Sequence, residues 1–256
     1  QEVFCVLRKF LLLKSSTRLQ TLSCYLLICL MTNNEKGQTL ARKTKCIDTL
    51  RYLFKDAGSP SCSPRVPNQL SEYLSSECKE SESLITLWQT ATNALSACVN
   101  IPQNCENQLF CTSAFPAAVS YVRNCDSGSI QTTTLTFLRN VLTNNSRSQV
   151  SFRLVGGLRA LCDVFTEKLL ASHQIPSSEL KSLVLTIEAA VHGNDMCRDS
   201  IAELEIVPLL LQSLQLCFAS PKFKTQCLIT LAACIEGCGK VFFKFKYLLR
   251  VLWLSL

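Results

Sequence analysis

The chain has 256 residues, 48% of them hydrophobic and 18% charged, with a formal net charge of +7, which is enough apolar material for a sizeable core. Only eight glycines and eight prolines are present and period-two runs are scarce, so a fold of many tight hairpins is excluded and an all-α fold is expected. No transmembrane helix is read: residues 19–34 are uncharged but too short and end in polar side chains, and residues 248–256 are shorter still and hold Arg250.

No charged n-region with an apolar stretch and cleavage site opens the chain. Gln1 stands first, and the chain reads as a fragment. Residues 1–31 are apolar and helix-competent. Asn33 and Asn34 mark a turn. Residues 35–55 read as one helix with a stripe of Leu40, Ile47, Leu50, Leu53 and Phe54. Residues 56–82 break the pattern with Gly58, Pro60, Pro64, Pro67 and many serines, and read as a loop with a short helix near 70–74. Ser59-Pro60 and Ser63-Pro64 are candidate proline-directed phosphorylation sites, though a plain flexible loop is the simpler reading.

Residues 84–99 are the cleanest helix, with Leu84, Leu87, Trp88, Ala91, Leu95 and Cys98 at three- and four-residue spacing. Pro102 stops it, since proline lacks the amide donor and disfavours helical geometry before it. A short helix over 106–111 follows, and the next starts at Phe115-Pro116, where proline is tolerated. The plan then recurs. One round has helices over 135–142, 148–154 and 158–170, with Gly156-Gly157 as the corner. The next has helices over 180–191 and 199–204 and another resuming at Val207. Residues 224–235 are the last clear helix, and beyond Gly237 the segment Lys240–Lys246 is basic and aromatic.

Beneath this order lies a register. Leu27/Ile47, Leu95/Phe115, Leu138/Leu158, Ile187/Val207 and Leu231/Val251 are apolar pairs twenty residues apart, and Leu50, Ala118, Leu161, Leu210 and Leu254 follow the second anchors by three. Successive first anchors are 68, 43, 49 and 44 residues apart. A period in the mid-forties is that of an armadillo- or HEAT-type α-solenoid, and the short middle helix with its Gly corner favours armadillo. The expectation is an all-α, armadillo-like α-solenoid of about five helical repeats. Residues 1–55 form an N-terminal capping region and first repeat, 56–82 a Ser/Pro-rich loop, 83–238 the armadillo-like repeats and 239–256 an atypical basic-aromatic segment. Such a stack offers a long surface rather than a catalytic pocket.

Sixteen cysteines occur without any C-x-x-C. Cys29, Cys98, Cys162 and Cys234 fall on apolar helical positions, where a reduced thiol acts as a small hydrophobe. A disulfide framework suits a small secreted chain better, so a reducing nuclear or cytosolic compartment is expected. Basic residues concentrate around Lys36, Arg42, Lys43, Lys45 and Arg51, and again from Lys222 to Arg250. No nucleic-acid motif accompanies them, so direct nucleic-acid binding is not expected. His173 in a loop and His192 at a helix end complete no zinc or catalytic set, and no cofactor, metal or enzymatic activity is expected.

Armadillo proteins that grip extended peptides carry an asparagine ladder, which falls two residues after each first anchor. Asn140 matches; Cys29, Ala97, Ala189 and Ala233 do not. A face binding a folded protein partner is the better expectation, with Asn140, Trp88 and Asn93 as its candidate residues.

Three segments carry a closer likeness: Ala94 to Gln108, with its Cys-Val-Asn-Ile-Pro-Gln-Asn-Cys-Glu-Asn-Gln run, Leu154-Val-Gly-Gly-Leu158, and Leu228 to Cys238. Across residues 25–238 the chain resembles the N-terminal armadillo region of the telomere repeats-binding bouquet formation family, and the first twenty residues and those from Lys240 depart from it. The resemblance implies a nuclear protein of the chromosome's telomeric region and the inner nuclear membrane. It implies protein partners in a meiotic telomere-tethering complex that attaches telomeres in prophase so that homologues pair. The family's shelterin-binding segment and Myb-like domain have no counterpart in these residues. The alternative is a cytosolic armadillo adaptor for trafficking or signalling complexes.

Overall fold

A computed structural model describes residues 1–56, 74–171, 176–216 and 219–236, with the backbone alone at 56 and over 74–80. Two helices, α1 (Glu2–Leu11) and α2 (Thr17–Met31), precede four rounds of three. The rounds are α3 (Glu35–Lys43), α4 (Cys46–Asp56) and α5 (Leu74–Val99); α6 (Cys105–Cys111), α7 (Phe115–Asn124) and α8 (Gly128–Leu142); α9 (Ser146–Leu154), α10 (Gly157–Ala171) and α11 (Ser178–Val191); and α12 (Asp195–Glu203), α13 (Ile206–Leu214) and α14 (Pro221–Ile235). In each round a short first helix leads into a second and then a third, and like helices stack on like: α2, α5, α8, α11 and α14 lie side by side in that order. This is an all-α armadillo solenoid.

The anchors explain the stack. Leu27, Leu95, Leu138, Ile187 and Leu231 are buried on the third helices, and Ile47, Phe115, Leu158 and Val207 on the second helices, together with Leu50, Ala118, Leu161 and Leu210. Val251 and Leu254 lie outside the described residues. Phe4, Leu7 and Leu11 on α1 repeat the spacing of Ile47, Leu50 and Phe54 and are buried likewise. Helices α1 and α2 are therefore the second and third helices of one more repeat, a division that the apolar run over 1–31 does not announce.

Two other stretches differ from expectation. The helix read over 35–55 breaks at Thr44–Lys45, where Lys45 takes a left-handed backbone (φ 61). Helix α5 begins at Leu74, ten residues ahead of the expected start, so the serine-rich stretch before Leu84 is partly helical. Leu84 itself is exposed, as is Cys29, which falls on the outer side of α2. Ser59, Ser63, His173 and residues 237–256 lie outside the described residues.

The junctions follow one rule. After each third helix a residue with positive φ — Asn33, Ile101, Asn144 or Gly193 — turns the chain, and an asparagine caps the next short helix. Asn34, Asn104, Asn145 and Asn194 each accept the amide of the residue three positions on, satisfying one of the donors that a helix start leaves open. At the following corner Lys45, Gly156 and Glu205 again have positive φ; in the second round a 3-10 turn over Thr112–Ala114 takes its place. Gly157 is demanded by packing, because a Cβ there would stand 2.4 Å from the ring of Phe152.

Candidate functional site

Four residues beyond each capping asparagine stands Gln38, Gln108, Gln149 or Arg198. Each glutamine is buried and reaches the C-terminal end of its repeat's third helix. Gln38 Nε2 donates to the carbonyls of Ala97 and Asn100, both at 3.1 Å. Gln108 Nε2 donates to Asn140 (2.9 Å) and Thr143 (3.0 Å), and Gln149 Nε2 to Ala189 (2.9 Å) and His192 (3.0 Å). The side-chain oxygens of Gln108 and Gln149 accept from the capping Asn145 and Asn194 of the next repeat, each at 3.0 Å. Arg198 departs from the pattern and meets the carboxylate of Glu236 at 3.4 Å. Carbonyls that a helix terminus would leave unpaired are thus bonded inside the protein, and the bonds run on from repeat to repeat. The Asn-x-x-x-Gln spacing that encodes this spine is plain in the sequence, but its asparagines read only as turn residues.

The candidate partner residues divide. Trp88 is in the core, 1% exposed. Its Nε1 donates to the Phe54 carbonyl at 3.1 Å, and its ring stacks on Phe54 and meets Tyr121 edge-on. A tryptophan with its one donor satisfied and its faces covered is a packing residue, not part of a binding face. Asn140 is 9% exposed, and its side-chain oxygen accepts from Asn100 at 3.2 Å. Its backbone carbonyl belongs to the Gln108 pair, so the matching ladder position is held by its neighbours. Asn93 is exposed on α5.

Asn93 sits two residues before a first anchor. The same place is held by Tyr25, Thr136, Leu185 and Ile229, all exposed or half-buried. One turn earlier stand Thr21, Gln89, Thr132, Lys181 and Thr225. The third helices therefore present a ridge of hydroxyls and amides that turns apolar at Leu185 and Ile229 and carries one base, Lys181. The basic stretch around Arg42 lies on α3 and α4, and its two arginines act within the stack. Arg42 pairs with Glu106. Arg51 donates to the Phe110 carbonyl (2.6 Å) and Ser113 Oγ (2.8 Å) and lies over the Phe110 ring at 4.2 Å.

Among the described residues nine cysteines are buried, and Cys5, Cys29 and Cys105 are exposed. Burial pushes the thiols of Cys24, Cys162, Cys227 and Cys234 up to about 12, as expected of small hydrophobes removed from water. His192 ends α11 at the surface, with Glu188 3.9 Å away. Among the described residues no group of three or more metal-ligating side chains converges, and no helix is long and apolar enough to cross a membrane.

No protein-family profile matches the chain. It is homologous to the protein named telomere repeats-binding bouquet formation protein 1. With the Homo sapiens protein it is 33% identical over 239 residues, which is 93% of this chain and 31% of the relative. With the Mus musculus protein it is 30% identical over 233 residues, 88% of this chain and 28% of the relative. The chain thus spans about a third of the length of the curated relatives it matches, and the match is longer than the residues 25–238 that carried the resemblance. Among solved structures it is similar to a designed armadillo repeat protein, with a TM-score of 0.72 at 13% identity over 95% of this chain and 87% of that one. A second designed armadillo repeat protein, in complex with the peptide (KR)4, gives a TM-score of 0.68 at 15% identity, covering 90% of this chain and 81% of that one. These likenesses concern the fold alone.

Proposed function

We propose that this chain, homologous along nearly its whole length to the telomere repeats-binding bouquet formation 1 proteins, is a non-catalytic armadillo scaffold. In this reading it takes part in attaching telomeres to the inner nuclear membrane during meiotic prophase, where homologues pair. The homology over 239 residues carries the proposal. The stack supports it in kind. A stack of this type presents its third helices as one long surface, and here that surface is a ridge of uncharged groups from Tyr25 through Asn93 and Thr136 to Leu185. A ridge without a regular asparagine ladder suits a folded protein partner better than an extended peptide, and its near-neutrality does not favour nucleic acid.

Imaging of the full-length protein in meiotic prophase cells tests the reading. Coincidence with telomere ends at the nuclear periphery is expected. A cytosolic distribution, with trafficking or signalling proteins recovered on pull-down, would instead establish the armadillo-adaptor reading.

A further inference from the structure

The first helices share one register, counted from the capping asparagine. Two residues on stand Lys36, Glu106, Arg147 and Met196; nine residues on stand Lys43, Ser113, Leu154 and Glu203. All are exposed. Each place is hydrophilic in every round but one, and both turn apolar at the same junction, between α9 and α12. Leu154 is 73% exposed, Met196 53%, and Val155 beside Leu154 is exposed too. Helix α9 has α6 on one side and α12 on the other, so the exposure of Leu154 is not that of a chain end.

The residue eight places beyond the cap shows what this junction lacks. Arg42 holds that place in α3 and pairs with Glu106, two residues beyond the next cap. Arg153 holds it in α9, and the place of its acid is taken by Met196. Burial raises the Cys197 thiol, and the Arg153 guanidinium is near enough to oppose that rise, which puts Arg153 beside Met196 as the register requires. The arginine ion pairs of the described residues join Arg42 to Glu106, Arg51 to Asp48, Arg123 to Asp163, and Arg198 to Asp195 and Glu236. Arg153 is in none of them, and its Nε is buried without a hydrogen-bond partner. The acids near α12 do not fill the gap. Asp195 pairs with Arg198 within its own helix, Asp199 is not free, and Glu203 and Glu205 lie at that helix's other end. Two further bases, Arg147 on the Leu154 face of α9 and Arg159 on α10, are exposed.

We propose that the α9–α12 junction is a docking surface for a protein partner that supplies a carboxylate to Arg153 and an apolar side chain to Leu154 and Met196. The partner's acid takes the place that Glu106 fills for Arg42 inside the stack, and the apolar contact shields that pair from water. The surface lies on the first helices and is separate from the third-helix ridge.

A phage-displayed random peptide library, panned on the whole chain and depleted on the Met196→Glu variant, tests this. That variant restores an acid at the register position, so Arg153 is met from within and the apolar patch is broken. The surviving peptides are expected to carry Asp or Glu next to a bulky apolar residue. They should bind Arg153→Gln and Leu154→Ser roughly tenfold or more weakly than wild type, and bind wild type less tightly at high salt. Circular dichroism checks that all three variants stay folded. No enrichment over the depleted variant, an enriched set without acids, or equal binding to wild type and the variants overturns the proposal. So does sedimentation in which the wild-type chain self-associates and Leu154→Ser does not, because the occupant would then be a second copy of this chain.

Discussion

The side-chain amide of Gln149 and the backbone carbonyl of Ala189 lie 2.9 Å apart across forty residues of sequence. The pair ties the short first helix of a repeat to the closing turn of its third. Gln149 also accepts from Asn194 in the next repeat, so one buried side chain couples two units. Gln149→Ala takes a donor from two carbonyls at the end of α11 and one of two acceptors from the Asn194 amide, which keeps the Ser146 carbonyl at 3.3 Å, and is expected to cost about 2–3 kcal/mol. The urea midpoint reads this out, and Gln149→Glu tests it further at neutral pH: an ionised carboxylate cannot donate to the Ala189 carbonyl and should be at least as damaging.

Corner geometry predicts a contrast of sign. Gly156 has φ +77, with open space where a Cβ would point, so Gly156→Ala isolates the backbone term and should destabilise by roughly 1–2 kcal/mol. Glu205 holds the equivalent corner at φ 56. There Glu205→Gly relieves strain while loosening the unfolded chain, and should leave stability unchanged or raise it by up to about 1 kcal/mol. Thermal unfolding of the two variants gives the comparison.

The Phe54 carbonyl accepts both Trp88 Nε1 and Tyr121 OH, joining α4 to α5 of its own repeat and to α7 of the next. Trp88→Ala empties a fully packed site and is expected to cost about 3–5 kcal/mol. Tyr121→Phe, which keeps the ring, should cost about 1 kcal/mol. A partner-binding role for Trp88 would show the reverse, with loss of binding at unchanged stability.

Thiol chemistry separates surface from core. Among the cysteines of the described residues, alkylation of the native chain followed by mass spectrometry should mark Cys5, Cys29 and Cys105 first, and Cys24, Cys162, Cys227 and Cys234 only on unfolding. A pH dependence follows. These four thiols sit near 12 in the fold against an ordinary 9.0. Above pH 9 the unfolded chain loses protons that the folded chain keeps. The stability is therefore complete below pH 9 and falls as pH rises toward 12. Replacing Cys227 with alanine should flatten that fall.

The apolar register is legible because the third and second helices bury the same places in every repeat, so Leu95, Leu138 and Ile187 declare themselves by spacing alone. Polar burial is not. Gln38, Gln108 and Gln149 look like surface residues of short helices, and only the neighbouring helix ends give them a task. The break at Lys45 is hidden for a local reason: a lysine takes the left-handed corner that glycine signals openly at Gly156. Trp88 makes a poor candidate for a binding face because its own stripe, with Leu87, Ala91 and Leu95, points to the core. Asn140 matches a ladder by position while its bonds are spent on Asn100 and Gln108.

The central claim is that the third-helix ridge holds a protein partner at meiotic telomeres. Proximity labelling of the full-length protein in meiotic prophase cells tests it most directly, with wild type compared against a variant carrying Tyr25→Arg and Asn93→Arg on that ridge. The account predicts telomere and nuclear-envelope proteins around the wild type and their loss from the variant, which stays folded because both side chains face solvent. The same telomeric set around both proteins, or a cytosolic set around the wild type, would contradict it.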